Sequence, residues 1–128
     1  MSVDIHQSPF FDLTSREVQQ TLIGCMQSGL ILGVWIAFPC TTFSIARRPA
    51  LRSREFLTGL PSLRDDKKAQ KAILAGNRTL SAALRFAKVC GRLKIPTIFE
   101  NPQSSLAWQD RRWKPLAERY PVSDAIIL

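Results

Sequence analysis

The sequence predicts an α/β fold with parallel strands joined by crossover helices, and three observations predict it. A short apolar run, Val34-Trp35-Ile36-Ala37-Phe38, stops abruptly at Pro39-Cys40. A second, Ile95-Pro96-Thr97-Ile98-Phe99, stops at Glu100-Asn101-Pro102. Between them lies a stretch with helical periodicity, long enough to serve as a crossover. Apolar runs of this length, bounded by Gly or Pro, read as buried strands, and proline interrupts the hydrogen-bond ladder. Strand, helix, strand makes a βαβ unit, parallel and with a right-handed crossover. Open α/β sheets carry their chemistry at the carboxyl ends of the strands. Cys40 and Glu100 are therefore expected on one edge of the sheet, a thiol and a carboxylate converging on one cleft.

Each element has its own justification. Thr14 and Glu17 have the spacing of a capping box. Val18, Leu22, Cys25 and Met26 then recur on one helical face, which places Cys25 in the core. Gly29 ends this helix as a C′ residue. The Trp35 strand follows. Residues 41 to 64 read as a long loop, because Pro49, Pro61 and Gly59 argue against a regular element. Asp65 or Asp66 caps the longest helix, about Lys67 to Cys90, with Ile73, Leu74, Leu80, Leu84, Ala87 and Cys90 on its apolar side and Gly91 ending it. Asn77 and Arg78 interrupt that side. They are either solvated or, for Asn77, turned toward the site. Gln103 to Tyr120 reads as turn and short helix. Its Trp108, Trp113 and Tyr120 alternate with cations, a pattern that suits either stacking on bases or an amphipathic helix with a basic outer side. Ala125 to Leu128 reads as a third short strand.

Length and composition bound the rest. The 128 residues fit one domain, residues 1–128, and the 45% apolar fraction is ordinary for a globular protein. No apolar stretch reaches the roughly 20 residues of a membrane span, and the N-terminus lacks a signal-peptide pattern. The 3 cysteines form no CxxC pair, so they build neither a disulfide framework nor a zinc knuckle. A reduced, cytoplasmic setting is expected. The net charge of +8 favours a polyanionic partner, nucleic acid first. It also fits a merely solubilising surface. The stretch from Ser44 to Lys71 holds 8 basic and 3 acidic residues, which gives it +5 of that charge. A long basic loop directly after Cys40 reads as functional, and Arg47, Arg48, Arg52 and Arg54 are the candidate phosphate contacts.

Cysteine acts through its thiolate, and nearby arginines favour that form. Other cysteine chemistries fit poorly. A phosphatase loop needs an arginine where Ala46 stands. A Cys-His pair would depend on His6, the lone histidine. Taken together, the motifs resemble the C5-cytosine DNA methyltransferases. Phe38-Pro39-Cys40-Thr41-Thr42-Phe43-Ser44 is similar to that family's catalytic Pro-Cys motif with its trailing Phe-Ser. Glu100-Asn101-Pro102 is similar to its Glu-Asn motif. Asp12-Leu13-Thr14 resembles the segment whose acidic residue contacts the cofactor's adenine. The resemblance covers about residues 10–107.

The resemblance implies a partial Rossmann-like methyltransferase fold with Cys40 and Glu100 catalytic. The Cys40 thiolate would attack C6 of a cytosine, and Glu100 would bind N3 and supply a proton. S-adenosylmethionine would be the methyl donor, with Asp12 and Pro39 as its contacts. Nucleic acid, DNA before RNA, would meet the basic loop and Asn101, with the target base out of the stack. Thr41 stands where the family usually has glutamine, and Pro102 where a small apolar residue is commoner. The Gln-x-Arg-x-Arg strand is not found, and residues 1–11 hold no Phe-x-Gly-x-Gly turn to cradle the cofactor. In such a fold the Cys40 strand has an uncovered edge, an aggregation hazard. A homodimer or a complementing subunit is expected to cover it. The other reading of the same residues is a non-catalytic phage or mobile-element protein, using the fold to bind nucleic acid or to block a nucleic-acid enzyme.

Overall fold

The computed structural model describes residues 2–3, 7–8 and 11–120. It is a mixed helix and strand structure with a two-stranded parallel sheet and three helices. The helices are α1 (Arg16–Gln27), α2 (Lys67–Leu93) and α3 (Trp113–Arg119), and the strands are β1 (Val34–Ala37) and β2 (Thr97–Glu100). Single 3-10 turns occur at Pro61–Leu63 and Leu106–Gln109. The expected third strand at residues 125–128 lies outside the described residues. Among the described residues no helix is long and apolar enough to cross a membrane.

The helix ends show how local hydrogen bonding sets boundaries. Asp12 Oδ1 accepts both the backbone N–H and the hydroxyl of Thr14, at 2.9 and 2.7 Å. That Asx turn occupies Thr14, so the cap of α1 falls one residue later than the spacing predicts. Ser15 Oγ accepts from the Val18 N–H and donates to the Glu17 carboxylate. Gly29, at φ 79°, follows the helix as expected. For α2, Asp66 is the cap, its Oδ1 accepting from the Ala69 N–H at 2.9 Å. Gly91 does not end α2, which runs on to Leu93 and turns at Lys94 in the left-handed region. Gly91 serves a different purpose, because a Cβ there would stand 2.6 Å from the Tyr120 ring.

The strands pair Val34 with Thr97, Trp35 with Ile98, Ile36 with Phe99 and Ala37 with Glu100. Successive side chains point to opposite faces. Val34 and Ile36 turn toward α1 and α2, where Met26, Ala82, Phe86 and Cys90 form one buried cluster, and Phe99 packs on the other. Phe38, Phe43, Leu80, Leu84, Leu106 and Ala107 form a second. The other face is open, with Trp35 60% and Ile98 55% exposed. This corrects the expectation of strands buried on both faces: the helices cover one side of the sheet only. Leu74, expected on the apolar side of α2, is half exposed.

The aromatic segment resolves in favour of packing. Trp113 sits edge-on to Phe99 at 5.1 Å, Trp108 edge-on to Phe38 at 5.7 Å, and the two indoles lie 5.4 Å apart. Their N–H groups are spent on the carbonyls of Pro102 and Ala107. These rings pack against Phe38 beneath the β1 end. The adjoining Arg112 grips both oxygens of Asp110 and donates a third bond to Ser81 Oγ on α2, at 2.9 Å. These contacts tie the start of α3 to α2.

Hydrogen bonds from Arg112 hold the Asp110 carboxyl below its ordinary 3.8. A carboxyl depressed in the folded state adds stability above its unfolded pKa and loses it as pH falls through the folded value. Thermal denaturation should therefore show Asp110→Asn less stable than the parent at neutral pH, with the gap closing below pH 3.8.

Candidate active site

The site grows from the carboxyl ends of the two strands. Phe38 turns into the core, Pro39 is exposed and Cys40 is half-buried. The Phe43 N–H donates to the Cys40 carbonyl at 2.9 Å, closing a turn directly after the strand. Across the pair, Glu100 is the last residue of β2 and lies on the open face. Its Oε2 accepts a 2.9 Å bond from the Trp35 indole N–H. The next residue joins the two strand ends, because Asn101 Nδ2 donates to the Phe38 carbonyl at 2.8 Å. Asn101 Oδ1 is buried without a protein partner. Parallel pairing thus brings Cys40, Glu100 and Asn101 to one edge of the sheet.

The basic loop divides into inside and outside. Arg48 and Arg54 are exposed, and Arg48 donates to the carbonyls of Ile45 and Arg47. Arg47 is half-buried, and its Nε has no protein partner. Arg52 is a correction to the expected phosphate-contact set. It is only 4% exposed, and its guanidinium bonds the oxygens of Thr42, Leu57, Ile73 and Asn77. A guanidinium with its donors committed inside the protein has none to give a phosphate. Asn77 is partly exposed, lines an open hollow beside α2, and is also tied inward: it accepts from Arg52 and donates to the Thr58 carbonyl.

The remaining candidates scatter. Asp12 stands ahead of α1 with Oδ1 engaged by Thr14, and the Thr14 hydroxyl bond, followed by the N–H bond, holds its carboxyl below the usual range. Cys90 is fully buried beside Met26, and burial pushes its thiol up, which suits packing rather than chemistry. Cys25 is half-buried at the margin of the core. Open hollows among the described residues lie away from this edge. One, of about 360 Å³, lies between α1 and α2 and is lined by Thr14, Gln19, Arg78 and Arg85 among others. Another, of about 320 Å³, lies at the amino ends of the strands beside Leu32, Leu93 and Pro96. Neither is lined by Cys40, Glu100, Asp12 or Pro39. Among the described residues no cluster of three or more His, Cys, Asp or Glu could hold a metal ion.

Sequence reasoning missed one residue that shapes this edge, Trp35, and gave another, Arg52, the wrong role. Trp35 sits two positions before Ala37, the register partner of Glu100, so strand parity places it on Glu100's face. Arg52 was hidden in a run of like charges. The signal for it lay elsewhere, in a mid-helix Gly76-Asn77 pair, where an isolated glycine marks close approach.

Asn101→Ala removes the bond between the strand ends and leaves the Phe38 carbonyl without it. Chemical denaturation should show a loss of about 1–3 kcal/mol, the cost of an unsatisfied buried acceptor. No protein-family model matches the chain, and no curated protein or solved structure matches it either.

Proposed function

We propose that this chain is a C5-cytosine methyltransferase-like module that acts on nucleic acid, DNA before RNA, and is completed by a second copy or a complementing subunit. The observation that carries the reading is the parallel register, which puts a half-buried cysteine and a carboxylate at the same strand edge. The order of the motifs along the chain supports it, as does the Asn101 bridge from one strand end to the other.

The chemistry follows from the residue types. The Cys40 thiolate forms a bond from Sγ to C6 of an unstacked cytosine, and the C5–C6 electron pair shifts toward N3. Glu100 hydrogen-bonds N3 and delivers the proton that neutralises the ring. The Trp35 indole fixes one Glu100 oxygen and leaves the other for the base. C5 is then electron-rich and takes a proton from solvent. Loss of the other C5 hydrogen to solvent, return of the N3 proton to Glu100 and expulsion of the thiolate restore the base with an exchanged hydrogen. The outward arginines Arg48 and Arg54 supply phosphate contacts from the loop.

S-adenosylmethionine does not fit the residues described here. Asp12 has Oδ1 engaged by Thr14, Pro39 is exposed, and neither lines the hollow between α1 and α2 or the one at the amino ends of the strands. Methyl transfer is therefore not assigned to this chain alone. The open sheet face points the same way, since parallel sheets are covered on both faces in proteins that use them. A partner that lays a strand along β1 and covers Trp35 and Ile98 meets both needs.

The test requires no methyl donor. Single-stranded DNA carrying tritium at C5 of cytosine is incubated with the chain, and release to water is followed. The expected result is release that Cys40→Ser abolishes and Glu100→Gln slows on the order of 100-fold. Release equal in Cys40→Ser, or none at all, would sink the catalytic reading. If DNA binding persisted without release, the chain would be a nucleic-acid-binding module on this fold.

A further inference from the structure

Among the described residues Arg52 is a charged side chain that is nonetheless buried, only 4% exposed. Nε donates to the Thr42 carbonyl at 3.1 Å, and Nη2 to the Thr42 hydroxyl at 3.2 Å and the Ile73 carbonyl at 2.9 Å. Nη1 donates to the Leu57 carbonyl at 2.7 Å and to Asn77 Oδ1. The planar group also lies 4.0 Å from the centroid of the Phe43 ring. Every one of these oxygens is neutral. Burial lowers the Arg52 pKa to about 10, so it keeps its proton at neutral pH. A buried cation without a carboxylate is costly, and five oriented acceptors offset that cost only if the loop around it takes one shape.

Three of the six contacts fall on Thr42 and Phe43, inside or next to the turn that Cys40 opens. Phe43 is 2% exposed, and its carbonyl accepts from the Leu106 N–H at 3.0 Å. The helix is cut to receive this assembly. A Cβ on Gly76 would stand 2.7 Å from Arg52 Nη2 and closer still to the Thr42 hydroxyl.

We propose that Arg52 is a positioning residue of the site: it clamps the Cys40–Phe43 turn against α2 and so fixes where the Cys40 thiol stands and what it faces. As a functional statement this rests on Cys40 being the reacting thiol. The clamp itself is tested without nucleic acid. The chain's three cysteines report separately, Cys40 at the clamp, Cys25 at the core margin and Cys90 fully buried.

The experiment is alkylation of the purified full chain by iodoacetamide across a pH series, with each cysteine's rate read by peptide mass spectrometry. Arg52→Met should change the Cys40 rate roughly tenfold at fixed pH and move its pH profile, with Cys25 and Cys90 unchanged. Arg52→Lys keeps the charge but offers three donors in place of a five-donor fork. It should shift Cys40 in the same direction. Gly76→Ala keeps Arg52 and displaces it, and Thr42→Val removes one acceptor at near-constant volume. These two carry the test if Arg52→Met does not fold by circular dichroism. Arg52→Lys matching the parent would reduce Arg52 to a buried charge and overturn the clamp. An unchanged Cys40 profile in the folded variants, or three cysteines rising together, would overturn it too. Failure of the nucleophile reading looks different: C5 hydrogen release survives in Cys40→Ser while the alkylation shifts remain.

Discussion

Parallel pairing of two four-residue strands imposes a return trip on the chain, and the rest of the structure is the consequence. The chain leaves β1 at the carboxyl edge and must re-enter β2 at the amino edge. A four-residue strand spans about 13 Å, whereas the 27 residues of α2 span about 40 Å. The helix is far longer than the return requires. Its first turns, around Ala69 and Ile73, bury Leu51 from the loop. Its later turns, around Phe86 and Cys90, bury α1 and the sheet. The excess helix is thus a support for the loop that follows Cys40, and Arg52 fastens the loop to it.

That arrangement explains why charge counting misjudged the loop. A run of arginines reads as a surface, because each carries the same charge and the same long stem. Hydrogen-bond demand separates them. Arg52 finds oxygens from three segments at a site where Gly76 leaves room, and it is buried. Arg48 finds only the carbonyls beside it and stays exposed. The loop's outward charge is therefore smaller than its composition.

Much of the architecture was legible in the sequence, for definite reasons. The strand runs stop at Pro39 and at Asn101-Pro102, so their ends were visible. Helical periodicity around Leu80 and Leu84 and the cap at Asp66 set α2 within a few residues. That the strands are parallel, with Cys40 and Glu100 toward one edge, followed from the crossover helix between them. What was not legible depended on tertiary choices. The alternation in β1 was masked because Trp35 is apolar yet exposed, so a one-faced strand looked buried on both sides. The cap of α1 moved because Asp12 competed for Thr14. Trp108 and Trp113 offered stacking and packing equally until Phe38 and Phe99 supplied the partners.

The shared site of Cys40 and Glu100 depends on the parallel register, and nuclear Overhauser spectroscopy of the labelled chain tests that register most directly. The expected result is cross-strand contacts pairing Trp35 with Ile98 and Ala37 with Glu100, and an indole N–H of Trp35 whose resonance shifts in Glu100→Gln. Antiparallel contacts, or a register moved by one residue, would put Glu100 on the other face or at the other edge, and the shared site of Cys40 and Glu100 would be gone.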